Sequence, residues 1–125
     1  MEMNEIKNII TNNATERKLY EKRLYETISS LDILKTEKRK LENSVLLDIT
    51  QEKNEEGKSI YTNEKMRESE QNKRLAHNTA YIEILTKETE LNKEISDLKI
   101  EIDFLRRKFK SVELYLNFLK LDTGE

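Results

Sequence analysis

Between Leu91 and Leu119 the residues Leu91, Ile95, Leu98, Ile102, Leu105, Phe109, Val112, Leu116 and Leu119 follow one another at alternating steps of four and three. Nothing interrupts the series. A strand turns every second side chain to one face, and an ordinary surface helix drifts at about 3.6 residues per turn. Only a helix whose apolar seam repeats every seven residues keeps this spacing over such a length, so the stretch reads as a coiled-coil seam. With Leu91 at d, the a residues are Ile95, Ile102, Phe109 and Leu116, and Leu98, Leu105, Val112 and Leu119 continue d.

Composition agrees with long helices. The 125 residues include two glycines and no proline, which argues against sandwiches, barrels and doubly wound sheets, all of which turn often. Charged residues make up 38% and apolar ones 35%, the balance of a chain with one apolar stripe per helix. The internal glycine, Gly57, lies in Asn54-Glu55-Glu56-Gly57-Lys58, the strongest turn signal present. Before it Val45, Leu47 and Ile49 alternate with Leu46, Asp48 and Thr50, and after it comes Ser59-Ile60-Tyr61-Thr62. This pattern predicts a short β-hairpin over 46–61, or else an ordered loop.

Upstream, Tyr20, Leu24, Leu31, Leu34, Leu41 and Val45 keep a 4,3 register with Thr27 and Lys38 as polar interruptions. Ile6 and Ile10 extend it backwards past Asn13 and Arg17, but Thr11-Asn12-Asn13-Ala14-Thr15 is rich in poor helix formers and predicts a break or fraying there. Downstream, Thr62-Asn63-Glu64 reads as a capped helix start, and nothing stops that helix before Thr123-Gly124. The expected architecture is a single all-α domain over 1–125. Helix 1 covers 6–45, the hairpin or loop 46–61 and helix 2 63–121, folded as an antiparallel coiled-coil hairpin that oligomerises.

The two helix lengths do not match, at about 60 and 88 Å for a rise of about 1.5 Å per residue. If Val45 lies opposite Met66, Ile6 falls opposite about Asp103, and residues from Phe104 onward overhang. There the helix gains a second apolar stripe, Ile100, Phe104, Leu114, Phe118 and Leu121, interrupted by Arg107 and Ser111. Burial of one large apolar side chain contributes about 1.5–3 kcal/mol, so this stretch is expected to associate with further copies. The expected interface comprises Leu98, Ile102, Phe104, Leu105, Phe109, Val112, Leu116, Phe118, Leu119 and Leu121. Across a parallel pair the flanking residues Glu94–Lys99, Glu101–Arg106 and Lys108–Glu113 are opposite in sign, while an antiparallel bundle stays open.

Little in the sequence suggests chemistry. With no cysteine there is no thiol nucleophile, disulfide or Cys-ligated metal. His77 is the only histidine, and no phosphate-binding loop, nucleophile elbow or zinc-protease motif occurs. The expectation is a protein without enzymatic activity, cofactor or metal. The N-terminus has no basic-then-apolar start, and no apolar run approaches the roughly 20 residues of a membrane span, so a cytoplasmic location away from membranes is expected. Net charge is −2, from 23 basic and 25 acidic residues, which gives no general pull toward polyanions. Local basic clusters remain. Arg17, Lys18, Arg23, Lys38 and Arg39 near Tyr20 and Tyr25, and Arg106, Arg107 and Lys110 near Phe104 and Phe109, are candidate contacts for single-stranded DNA.

Residues 57–82 carry a G-K-x-x-[YF]-x-N-E…R start, then Arg74-Leu75 and Tyr81, ahead of the heptad helix with Phe104-Leu105-Arg106-Arg107-Lys108-Phe109. The pattern resembles small coiled-coil proteins of bacteria and their phages that accompany recombination genes. This resemblance implies a recombination accessory or mediator acting with single-stranded DNA or a protein partner. It carries over to Asn63, Glu64 and Arg67, with Thr62 or Asn63 also serving as cap. The helix–hairpin–helix order is similar to a prefoldin β-type subunit, which implies the alternative of a holdase chaperone. A purely structural coiled-coil component is the third expectation.

Overall fold

A computed structural model of the chain describes residues 2–123, with side chains for residues 2–120. Three helices account for nearly all of it: α1 (Met3–Gln51), α2 (Glu64–Ala76) and α3 (Thr79–Thr123). The fold is all-α, and the described residues contain no strand. The residues group into two compact units, Met1–Ile28 with Lys93–Glu125 (the terminal unit) and Ser29–Asn92 (the bend unit).

In the terminal unit, Ile6, Leu98, Ile102, Leu105 and Val112 are buried, together with the polar Asn13. The Asn13 amide donates to the Leu105 carbonyl at 2.6 Å, and the Arg17 guanidinium lies 5.7 Å from the centroid of Phe109. Arg106 pairs with Glu21 at 3.4 Å. Helix α1 runs through 11–15 without a break, contrary to expectation. Burial of Ile6 offsets the few tenths of a kcal/mol per residue by which Thr and Asn disfavour helix.

In the bend unit the core is Leu31, Leu34, Ile49 and Leu75. The expected β-hairpin over 46–61 does not form. Glu42, Val45, Leu46 and Ile49 also stand at helical spacing, all four are buried or half-buried, and Ile49 is fully buried, so α1 continues to Gln51. Alternation of the 45–50 stretch is thus a by-product of one helical face, and tertiary packing overrides β-branched propensity. Only a single antiparallel bridge, Lys53 with Ser59, closes the ordered loop. Within it the Asn54 side chain accepts from the N–H groups of Glu56 and Lys58, both at 3.0 Å, and Gly57 takes φ 77°.

The expected helix 2 is two helices. His77 is the C-cap of α2, and Asn78 Oδ1 accepts from Tyr81 N–H at 3.0 Å to start α3. An Asn side chain that bonds the backbone ahead of it competes with the helical ladder, which explains the interruption at this position. Within the terminal unit the register differs from the expected one. Asn13 meets Leu105, well past the region near Leu98 assigned to it by a Val45–Met66 pairing. The overhang expected from Phe104 onward is therefore shorter, and Val112 is buried within the single chain.

Candidate interaction surfaces

Position on the helix divides the expected interface in two. Leu98, Ile102, Leu105 and Val112 are buried in the terminal unit, so the heptad seam that was expected to join copies is filled from within the chain. Phe109 lies half-buried beneath Arg17, and Leu116 and Leu119 are half-buried as well. Phe104 and Phe118 face away from that seam and are 59% and 65% exposed, with Ile100 and Leu114 on the same stripe at 65% and 61%. The side chain of Leu121 lies outside the described residues.

Half of the basic candidates have partners of their own. Lys38 pairs with Glu88 at 3.2 Å, which holds the ammonium above its ordinary value. Arg106 pairs with Glu21, Arg107 with Asp103 at 3.0 Å, and Arg17 stacks on Phe109. Lys18, Arg23, Arg39 and Lys110 are exposed. Paired in this way, the guanidinium and ammonium groups are less available to phosphates than the sequence clusters suggest, because each phosphate contact would compete with a carboxylate or a ring.

The helix-start motif is structural in its geometry. Asn63 is the N-cap of α2, its Oδ1 accepting from Met66 N–H at 2.8 Å, and Glu64 favours the positive end of the helix. Thr62 directs its hydroxyl to the Met66 sulfur at 3.7 Å, and Arg67 donates to the Tyr61 carbonyl at 3.3 Å. These four residues fix how the loop enters α2.

The residues with the densest polar contacts were not singled out as a site by the sequence. Arg74 donates to Glu52 at 2.7 Å and to Glu70 at 3.0 Å, and its guanidinium lies 5.9 Å from the Tyr61 ring centroid. The Arg74 hydrogen bond holds the Glu52 carboxyl below the usual carboxylate range. Nearby, Tyr81 donates to Glu42 at 3.2 Å, and Gln71 donates to the Glu42 backbone carbonyl at 2.8 Å. Burial, reinforced by the Glu42 charge, pushes the Tyr81 phenol above its ordinary value. The i,i+4 spacing of Glu70 and Arg74 was legible, but Glu52 and Glu42 come from the far side of the bend and leave no local signal. In chemistry these are ion-pair and hydrogen-bond clamps between helices.

His77 caps α2 and is exposed. Among the described residues no group of His, Asp or Glu has the arrangement to hold a metal ion, and no helix is long and apolar enough to cross a membrane. Comparison with protein families, with curated proteins and with solved structures finds no match.

Proposed function

We propose that the chain is a non-catalytic coiled-coil scaffold, an antiparallel helical hairpin that works by binding protein through the outer face of α3. The observation that carries this reading is the exposed stripe of Ile100, Phe104, Leu114 and Phe118, on the face of α3 opposite a seam already filled by the chain itself. Exposed apolar residues scattered singly are ordinary, whereas two pairs of them on one helix face, Ile100 with Phe104 and Leu114 with Phe118 on either side of Arg107 and Ser111, form a contact surface. The hairpin is supported in the bend unit by the order of its contacts. Lys38 meets Glu88, Glu42 meets Tyr81 and Glu52 meets Arg74, so numbers fall on one side as they rise on the other.

The scaffold reading is preferred to the other two roles. A role in DNA recombination is retained as protein adaptor work, because Arg17, Lys38, Arg106 and Arg107 are engaged within the chain. A prefoldin-like holdase assembles through β-hairpins, and the loop here offers only the bridge between Lys53 and Ser59. The test is thermal unfolding over a range of concentrations. A scaffold assembled through the stripe shows a midpoint that rises with concentration, and F104E/F118E abolishes the rise while keeping its helical signal. A concentration-independent midpoint in the wild-type chain contradicts the reading.

A further inference from the structure

The geometry points to a second copy of this chain, parallel and in register, as the occupant of the α3 stripe. Phe104 then packs on Phe104, Leu114 on Leu114 and Phe118 on Phe118, with Asp103 of each copy beside Lys108 of the other. This inference rests on the scaffold reading and names its partner and orientation.

The stripe has a heptad frame of its own. Ile100, Arg107 and Leu114 occupy one core position of the repeat, and Phe104, Ser111 and Phe118 the other. Turning about 100° per residue, these positions lie roughly half a turn from Leu98, Ile102, Leu105 and Val112. A helix covering the stripe therefore does not disturb the seam. The polar pair at its centre is provided for within the chain. Ser111 returns its hydroxyl to the Arg107 carbonyl at 3.0 Å, and Arg107 pairs with Asp103 one turn back on its own helix, its side chain 81% exposed.

Area and charge both favour a second copy. Large side chains expose of the order of 150–250 Å² when free, so four of them left about three-fifths exposed offer about 500 Å² per chain. Two copies would remove about 1,000 Å² from water, the lower limit for a specific interface. Flanking charges select the orientation. In the stripe's frame Asp103 and Lys108 are the two residues that face each other across a parallel in-register pair, and the contact occurs twice. An antiparallel pair centred on the stripe instead sets Lys108 against Lys108 and Lys110 against Lys110, which is repulsive. The two Asp103–Lys108 contacts thus make the surface complementary to itself about a two-fold axis along the helix, with each Arg107 at the centre paired to Asp103 of its own chain.

The chain has no cysteine, so Ile100→Cys supplies a single thiol on an exposed, off-centre position of the stripe. With oxidised glutathione, the full-length I100C protein is expected to form a covalent dimer, and the same thiol in the F104E/F118E background is expected to remain uncrosslinked. Antiparallel pairing about the midpoint would hold the two thiols about 27 Å apart. Charge swapping supplies an independent arm. Asp103→Lys raises the dimer dissociation constant several-fold, and D103K/K108D restores it. A wild-type dimer whose I100C variant fails to crosslink overturns the parallel register and leaves the scaffold reading standing. A wild-type chain that is monomeric overturns both.

Discussion

Asn13 is the residue whose setting departs furthest from its chemistry. It is 3% exposed, donates once to Leu105 and leaves its own carbonyl oxygen without a partner. A buried polar group with half its capacity unused lowers stability, but a single Asn in an apolar seam also penalises slipped registers. Asn13→Leu is therefore expected to raise the unfolding free energy by about 1 kcal/mol in urea denaturation. The same substitution should broaden the amide spectrum as alternative registers become populated. A loss of stability would show that the Leu105 contact outweighs the unpaired oxygen. Asn63 illustrates the opposite case, a polar residue fully used. Asn63→Ala removes the cap on α2 and is expected to lower stability by about 1 kcal/mol, with faster amide exchange at Met66. The cap could be read from Thr62-Asn63-Glu64, although the sequence left open which of Thr62 and Asn63 performs it. Burial of Asn13 could not, because an interruption in a 4,3 pattern looks alike whether it breaks a helix or sits in a core.

At the scale of elements, the bend depends on a few polar contacts around the end of α1. Glu52 bridges to Arg74 beside the loop, and its carboxyl titrates below the usual range because it accepts from that guanidinium. A carboxylate with a depressed folded-state value contributes stability at neutral pH and loses it as pH falls through that value. The wild-type chain is expected to lose stability on acidification, and Glu52→Gln to show a shallower loss over the same range by circular dichroism. An unchanged slope in the variant would mean that the Arg74 contact contributes nothing in solution. The turn itself depends on Gly57, whose φ of 77° lies in the left-handed region with open space around it. Gly57→Ala is expected to destabilise by about 1 kcal/mol through backbone strain alone. The 91–119 helix and the turn at Gly57 were legible because heptad spacing and a lone glycine in a polar cluster are local signals. The end of α1 and the break at His77–Asn78 were not. Ile49 gains its burial from the bend-unit core, and Asn78 is a cap without the usual acidic residue three positions later.

Taken whole, one chain fills one seam of α3 and presents another. The seam of Leu98, Ile102, Leu105 and Val112 is closed internally, while Ile100, Phe104, Leu114 and Phe118 stay in water. Sequence spacing revealed both stripes on α3 but not which of them the chain would keep for itself. That choice follows from the register of α1 on α3 within the terminal unit, where Asn13 meets Leu105. Sedimentation equilibrium of the wild-type chain at micromolar concentration and moderate salt reads out whether the second stripe is covered by another copy. The expected mass is at least twice the 14.9 kDa of one chain, returning to the single-chain value in F104E/F118E. A wild-type mass of 14.9 kDa throughout would contradict it.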